Sequence, residues 1–233
     1  MLSHDARSTR QGLCRFPRES TPMQPYSTRA PAPTKILTRR EFAAVLTELQ
    51  RKSPRSRNTR LNLIIFRLAA CCGLRASEIA QLRIADVRLN LSRPHLRIRR
   101  GAAKGGRARM VPLWWDSGTF SDLAAWKGER MQQVATEDEP FLASYLPARA
   151  KMHFSRHTLR KRFRTACKTL GEGRLVSLTI HHGRHTFISH ALAGGRTLAE
   201  VRDAAGHANV SITSAYLHIA IDNEVMGDLF RFA

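Results

Sequence analysis

The C-terminal third of the chain carries residues that together could break a phosphodiester. It reads His181-His182-Gly183-Arg184-His185, then Ala205-Gly206-His207, then Tyr216. His207 follows Arg184 by twenty-three positions, and Tyr216 follows His207 by nine. An arginine and histidines ahead of one tyrosine make a phosphate pocket with a nucleophile beside it. A free phenol has a pKa near ~10, so only about one in a thousand is ionised at neutral pH, and forming the phenolate costs about 4 kcal/mol. Cations or a base must offset that cost. The phosphorane-like transition state gathers negative charge on its non-bridging oxygens, and two arginines can fork onto them with fixed paired donors. An imidazole can hold a further oxygen or take the phenol proton. A lysine can protonate the departing sugar oxygen. The guanidinium groups supply the electrostatic stabilisation, so the chemistry needs no metal and no cofactor. The covalent product keeps the phosphodiester's bond energy, so resealing needs no ATP.

Upstream residues supply the rest of such a site. Tyr216 is the candidate nucleophile, Arg75 and Arg184 the candidate forks, His181 and His207 the candidate imidazoles, and Lys104 the candidate general acid. His181 and His185 stand four apart and could face a metal on one side of a helix. No Cys or carboxylate stands near as a third ligand, so no metal site is expected. His182 and His185 read as structural or phosphate-facing residues.

The elements that must position these groups are mostly helical. Thr38 and Glu41 have capping-box spacing, and Phe42, Val45, Leu46 and Leu49 follow on one helical face. A second helix, apolar nearly all round and therefore central, is expected from about Thr59 to Cys72, with Gly73 ending it. A short third helix is expected over Ala76 to Leu82. Between Leu96 and Leu113 the pattern alternates around Gly101, Gly105 and Gly106, which predicts a β-hairpin or two strands of a small sheet with Lys104 near the tip. Further helices are expected over Asp116 to Val134, around Leu159 to Leu170, over Thr186 to Ala193, and after the capping box Thr197/Glu200. Ser211 is expected to cap the short helix that bears Tyr216. Trp114, Trp115 and Trp126 read as core or hinge residues. The fold class is mainly α with a small antiparallel β-sheet (α+β).

Composition narrows the partner. Lys and Arg number 39 against 18 Asp and Glu, a formal net charge of +21 spread along the whole chain. A polyanion would relieve that self-repulsion, and nucleic acid is the commonest one. A membrane surface fits less well, because there is no basic amphipathic helix with an exposed aromatic face and no apolar run of about eighteen residues. The start lacks the apolar core of a secretory signal. Cys14, Cys71, Cys72 and Cys167 form no disulfide framework and read as buried thiols. Residues 1–35 hold half of the ten prolines and several arginines, and are expected to be a disordered basic tail. A transit peptide, or translation starting at Met23, is an alternative reading of that stretch. One domain is expected over 36–233.

With those residues in place, the chain resembles the tyrosine recombinases of the phage integrase family. The matching segments are Cys72-Gly73-Leu74-Arg75-Ala76-Ser77-Glu78-Ile79, Lys104 ahead of Arg109-Met110-Val111-Pro112-Leu113, Arg184-His185-Thr186-Phe187 within 181–189, and Gly206-His207 through Tyr216-Leu217-His218. The resemblance covers about 36–220. It implies a tyrosine recombinase catalytic-domain-like fold, 3′-phosphotyrosyl chemistry, and a site of Arg75, Lys104, His181, Arg184, His207 and Tyr216, with Glu78 bracing Arg75. It implies double-stranded DNA as partner, a homo-oligomer that is a tetramer on synapsed DNA, and a cytoplasmic, nucleoid-associated location. The C-terminal segment from Ile219, with Met226, Leu229 and Phe230 on one helical side, is expected either to pack on its own domain or to be exchanged between protomers as in the family. Arg107 and Arg109 on the hairpin, and Arg156, Arg160, Lys161 and Arg164 on the basic stripe, are the expected DNA contacts. The chain resembles the short members that lack a separate N-terminal core-binding domain. A DNA-binding relative with little catalysis, or a relaxing enzyme of the type IB topoisomerase kind, are alternatives. The departures are local. The family usually places an acidic and then an aliphatic residue where His182 and Gly183 stand, and Leu where Ala205 stands. His182 is expected to cap its helix poorly, and Gly183 to cost it about 1 kcal/mol.

Overall fold

The computed structural model describes residues 31–102, 107–133, 136–146, 148, 151–217 and 219. Lys104, nearly all of the expected tail and the C-terminal segment after Ile219 lie outside the described residues.

The two capping boxes read from sequence are local devices, and both form. Thr38 accepts from Glu41 N and starts α1 (Arg39–Lys52), whose Phe42, Val45, Leu46 and Leu49 are buried. Thr197 accepts from Glu200 N and starts α8 (Leu198–Ala205). The central apolar segment begins earlier than expected, because Ser56 caps it by accepting from Thr59 N. It runs as α2 (Arg57–Phe66). It does not stay α-helical to Cys72. Arg67–Cys71 form a π-helical turn, and Gly73 then turns the chain at φ 64°. Arg67, in that turn, is buried and held by Asp116 at 3.1 Å and Asp122 at 2.8 Å. Beyond the turn and Gly73 the chain reaches Arg75, at the head of α3 (Ala76–Ala80).

The sheet has three strands in the order β1 (Val87–Arg88), β2 (His95–Ile98) and β3 (Arg109–Pro112), all antiparallel. Strands β2 and β3 are the two that alternation predicts, with Leu96 opposite Val111. Strand β1 is two residues long, too short for a period-2 signal. Asp116 accepts from Gly118 N and opens α4 (Ser117–Gln132), which buries Trp126 with its indole N–H donating to Phe141 O at 2.8 Å. Trp115 is buried against Phe187, while Trp114 is exposed.

α5 (Arg156–Ala166), capped by Ser155, turns Leu159, Phe163 and Ala166 inward. Arg156, Arg160, Lys161 and Arg164 are exposed. Arg162, read from sequence as part of the same outer face, instead leans onto α2 and donates to Asn62 and Asn58. α6 (Glu172–Ser177) follows, and then α7 (Ile180–Ala193), which runs through the middle of the molecule. The segment before α1 is tied to α7: Leu37 N donates to Thr186 Oγ1 and Leu37 O meets His190 Nε2, both at 2.9 Å. The last described helix is α9 (Val210–Ser214). Its cap is Asn209, which accepts from Ser211 N, so Ser211 sits within the first turn rather than at the cap. Tyr216 lies just beyond this helix. Cys71, Cys72 and Cys167 are free, buried thiols. Among the described residues no helix is long and apolar enough to cross a membrane.

Candidate active site

The site is built on the C-terminal end of α8. The last carbonyls of a helix have no partner in a following turn. Here three arginines from distant segments take three of them in succession. Arg109 Nε donates to Ala204 O at 2.8 Å, Arg184 Nη2 to Ala205 O at 2.6 Å, and Arg75 Nη2 to Gly206 O at 3.5 Å. The cations also face the negative end of the helix dipole. Arg184 Nη1 donates to Gly73 O at 2.7 Å, so one α7 side chain joins the turn before Arg75 to the end of α8. Gly206 is required here twice over. Its φ is 69°, and a Cβ would stand 2.7 Å from Arg109 Cδ.

Glu78 organises two of the three arginines from a fully buried side chain. Its Oε1 accepts from Arg75 Nη1 at 3.0 Å and from Arg109 Nη1 at 2.7 Å, and its Oε2 from Arg109 Nη2 and Arg75 N, each at 2.8 Å. Burial alone would raise the carboxyl pKa, but the Arg109 hydrogen bonds and charge outweigh it and hold Glu78 below its ordinary range. Arg109 was expected on the DNA face, and this is corrected. Its side chain is 7% exposed and forms a two-pronged pair with Glu78. The alternation of β3 puts Arg109 on the inner side, where only a buried carboxylate makes an arginine tolerable.

The two departures in α7 also read differently in three dimensions. His182 does cap the helix: its Nδ1 accepts from Thr179 N at 3.0 Å and bonds Thr179 Oγ1 at 2.8 Å. The imidazole stands where a capping box usually has a carboxylate. Burial and the nearby Arg174 lower the His182 pKa, which suits a neutral acceptor. Gly183 lets α7 approach the π-helical turn. A Cβ there would stand 3.0 Å from the Ala69 carbonyl carbon and 3.0 Å from its Cβ. Gly183→Ala is therefore expected to destabilise by about 1–3 kcal/mol in chemical denaturation, through overpacking. Helix propensity alone predicts the opposite sign, a gain of about 1 kcal/mol, so a stabilised variant would refute this close-packing account.

Tyr216 closes the site. It is 5% exposed, and its hydroxyl lies 2.6 Å from His185 Nδ1. Its ring stacks on His185 with centroids 5.8 Å apart and on His207 at 6.4 Å. His207 Nδ1 bonds Thr213 Oγ1 at 2.9 Å, which orients that imidazole from α9. Burial pushes the Tyr216 phenol up to about 12, against the opposing pull of Arg184. Burial, then Arg184, Arg75 and Arg109, lower His207 to about 3. Burial and the neighbouring histidines lower His185 to about 4. Arg184 falls to about 9, first through burial and then through Arg75 and Arg109. Burial is the largest cause of all four shifts; the surrounding positive charge adds to it for His185, His207 and Arg184 and opposes it for Tyr216. At pH 7 His185 and His207 are therefore neutral, Arg184 charged and the phenol protonated. A phosphodiester anion entering such a site would meet fixed donors and a strongly positive potential.

Arg75, Glu78, Arg184, His207 and Tyr216 are thus drawn together. His181 is exposed and lines a cleft of about 830 Å³ with His157, Arg160, Lys161 and Arg164 of α5. Arg107 is exposed two residues before β3, and Lys104 is among the residues not described. Sequence reasoning passed over two contributors, the bracing role of Arg109 and the contact of His185 with Tyr216. Strand alternation could have flagged the first, since Arg109 shares its side of β3 with buried Val111. No local signal marks the second.

A helical domain with a small antiparallel sheet, and a tyrosine set among arginines at a helix end, define the tyrosine recombinase class of catalytic domain. Solved structures share the fold: XerA recombinase superposes with a TM-score of 0.62 at 21% identity, over 88% of this chain and 64% of that one. XerH site-specific recombinase bound to palindromic difH substrate does so with a TM-score of 0.64 at 20% identity, over 86% and 53%. The chain belongs to the phage integrase family, which it matches over residues 35–222. Tyrosine recombinase XerC of Chromobacterium violaceum is 37% identical over 152 residues, 65% of this chain and 46% of that protein. A tyrosine recombinase of Pseudothermotoga lettingae is 33% identical over 180 residues, 76% and 56% respectively. The chain spans about half the length of these curated relatives.

Proposed function

We propose that this protein is a site-specific recombinase that cuts and rejoins double-stranded DNA through a 3′-phosphotyrosyl link to Tyr216, with residues 36–233 as the catalytic domain. The observation that carries the reading is the shared anchoring of Arg75 and Arg184 on the adjacent carbonyls of Gly206 and Ala205, directly before His207, whose ring stacks on that of Tyr216. Two guanidiniums held from separate segments can fork onto the non-bridging oxygens of one phosphate. Their backbone anchors mean that little reorganisation is needed as charge develops. His207 is neutral and oriented by Thr213, so it can hold a third oxygen. His181, at the edge of the α5 cleft, is a phosphate contact on this reading, and Lys104 protonates the leaving 5′ oxygen. A tetramer on two synapsed sites and exchange of the C-terminal segment between protomers belong to the same proposal, as does action in the cytoplasm at the nucleoid.

The experiment is covalent capture. A pool of nicked duplexes with randomised sequence is incubated with the protein, and DNA that resists detergent is sequenced. Recovery of a common sequence in protein-linked DNA supports the reading. Recovery no higher than with Tyr216→Phe overturns it. Capture without any common sequence would mark a relaxing enzyme instead.

The exposed face of α5 supplies a separate test of DNA grip. Replacing Arg160, Lys161 and Arg164 together by Ala is expected to reduce the slope of log affinity against log salt by about 1 per residue removed, since each phosphate contact releases about one counterion. Fluorescence anisotropy on an arbitrary duplex measures it. An unchanged slope would place the DNA elsewhere.

A further inference from the structure

We infer that His185 is the group that takes the proton from Tyr216 when its hydroxyl attacks phosphorus. This deepens the function proposed above and rests on it. Three histidines other than His185 compete for the role, and the geometry sets them apart. His182 Nδ1 is engaged by Thr179 at the head of α7. His207 Nδ1 is engaged by Thr213, and its ring centroid lies 6.4 Å from that of Tyr216. His181 lines the cleft along α5. His185 Nδ1 lies 2.6 Å from the Tyr216 oxygen, hydrogen-bond distance for a direct transfer.

The charge state of His185 fits the role of acceptor. His185 is surrounded by His181, His182 and Arg184 on its own helix, by Lys35 from the segment before α1, and by His207 and Tyr216 from the chain after α8. Burial first, and then the neighbouring histidines, Arg184 and Lys35, keep the imidazole neutral at pH 7. A neutral imidazole has one donor and one acceptor nitrogen. On this proposal the protonated phenol donates, Nδ1 accepts and Nε2 carries the hydrogen. In the step, the Oη–H bond breaks and its proton passes to His185 Nδ1, giving the imidazolium. The Oη–P bond forms and the P–O5′ bond breaks. The leaving 5′ oxygen takes a proton from an ammonium, the role assigned to Lys104. Rejoining runs the transfers backwards, and His185 returns the proton to Tyr216. An entering phosphate offsets the positive field around His185 and favours the imidazolium just when it forms.

The test separates proton transfer from positioning. His185→Asn keeps an acceptor near the place of Nδ1 but cannot take a proton at neutral pH, whereas His185→Ala removes both. Single-turnover adduct formation is measured on the duplex that wild type selects from the nicked randomised pool. Both variants are expected to be slower by about 100-fold or more. Fluorinated tyrosine at position 216, a more acidic phenol, is expected to narrow the gap between His185→Asn and wild type. His185→Asn cleaving at the wild-type rate overturns the proposal, as does a gap that phenol acidity leaves unchanged. A nitrogen NMR spectrum of the free protein showing Nδ1 of His185 protonated overturns it without any DNA. Wild type capturing no more DNA than Tyr216→Phe is a different result: it removes the recombinase reading and this one with it.

Discussion

Tyr216→Phe is expected to reduce protein-linked DNA to background while leaving DNA affinity and fold nearly unchanged. Phenylalanine fills the same buried volume and keeps both ring stacks, so the packing beside Phe187, Val201 and Ala205 survives. What is lost is one hydrogen bond to His185, worth about 1 kcal/mol in stability. The chemical loss is of another order. With the phenol near 12, only about one molecule in a hundred thousand is ionised at pH 7, a cost of about 7 kcal/mol that the basic surroundings and a proton acceptor must offset. Detergent-resistant adduct measures the chemistry, and anisotropy measures the binding. Adduct persisting in the variant would show that another residue is the nucleophile. Tyr145, packed edge-on against Trp126 and beneath Arg57, would then need testing.

Glu78→Ala is expected to be the most destabilising single change in the site, by about 3–5 kcal/mol in urea denaturation at pH 7, because it leaves a buried arginine without its counter-charge. Arg109 is the one most exposed to that loss, since both of its terminal nitrogens rest on Glu78. Arg75 loses two bonds as well, one from its side chain and one from its backbone. Catalysis should fail with stability, as both arginines drift from the end of α8. Glu78→Gln keeps the shape and part of the hydrogen bonding, and should fall between. The pH dependence has a definite sign. The folded Glu78 carboxyl lies below its ordinary value of 4.5, so its contribution is complete above that value and is lost as pH falls through the lower, folded one. Stability measured from pH 7 downward should therefore drop less steeply in Glu78→Gln than in wild type. Identical acid limbs would show that Glu78 is not the linked group.

Local signals in the sequence were legible where the physics is local. Thr38 with Glu41, and Thr197 with Glu200, satisfy orphan amides three residues away, so spacing alone places both helix starts. Alternation located β2 and β3 because one face of each is buried. The misreadings share a cause. Asn209 and Ser211 are both good capping residues, and only the chain's path shows which one starts the helix. The π-helical turn at Arg67–Cys71 answers to Asp116 and Asp122, about fifty positions away, and no periodicity encodes that.

The same division runs through the site. Residue types and order alone determined that the chain holds two arginines, histidines and a tyrosine suited to phosphoryl transfer, on a strongly basic chain of the phage integrase family. Types and spacing carry that much because the chemistry demands particular functional groups. Which group touches which was decided by tertiary structure. Arg109 turned inward because Glu78 waits there, and Gly183 is needed because α7 lies against Ala69. His185 meets Tyr216 across thirty-one positions of sequence. Contacts of that range depend on how helices pack, and packing is set by the whole core at once rather than by any window of the chain.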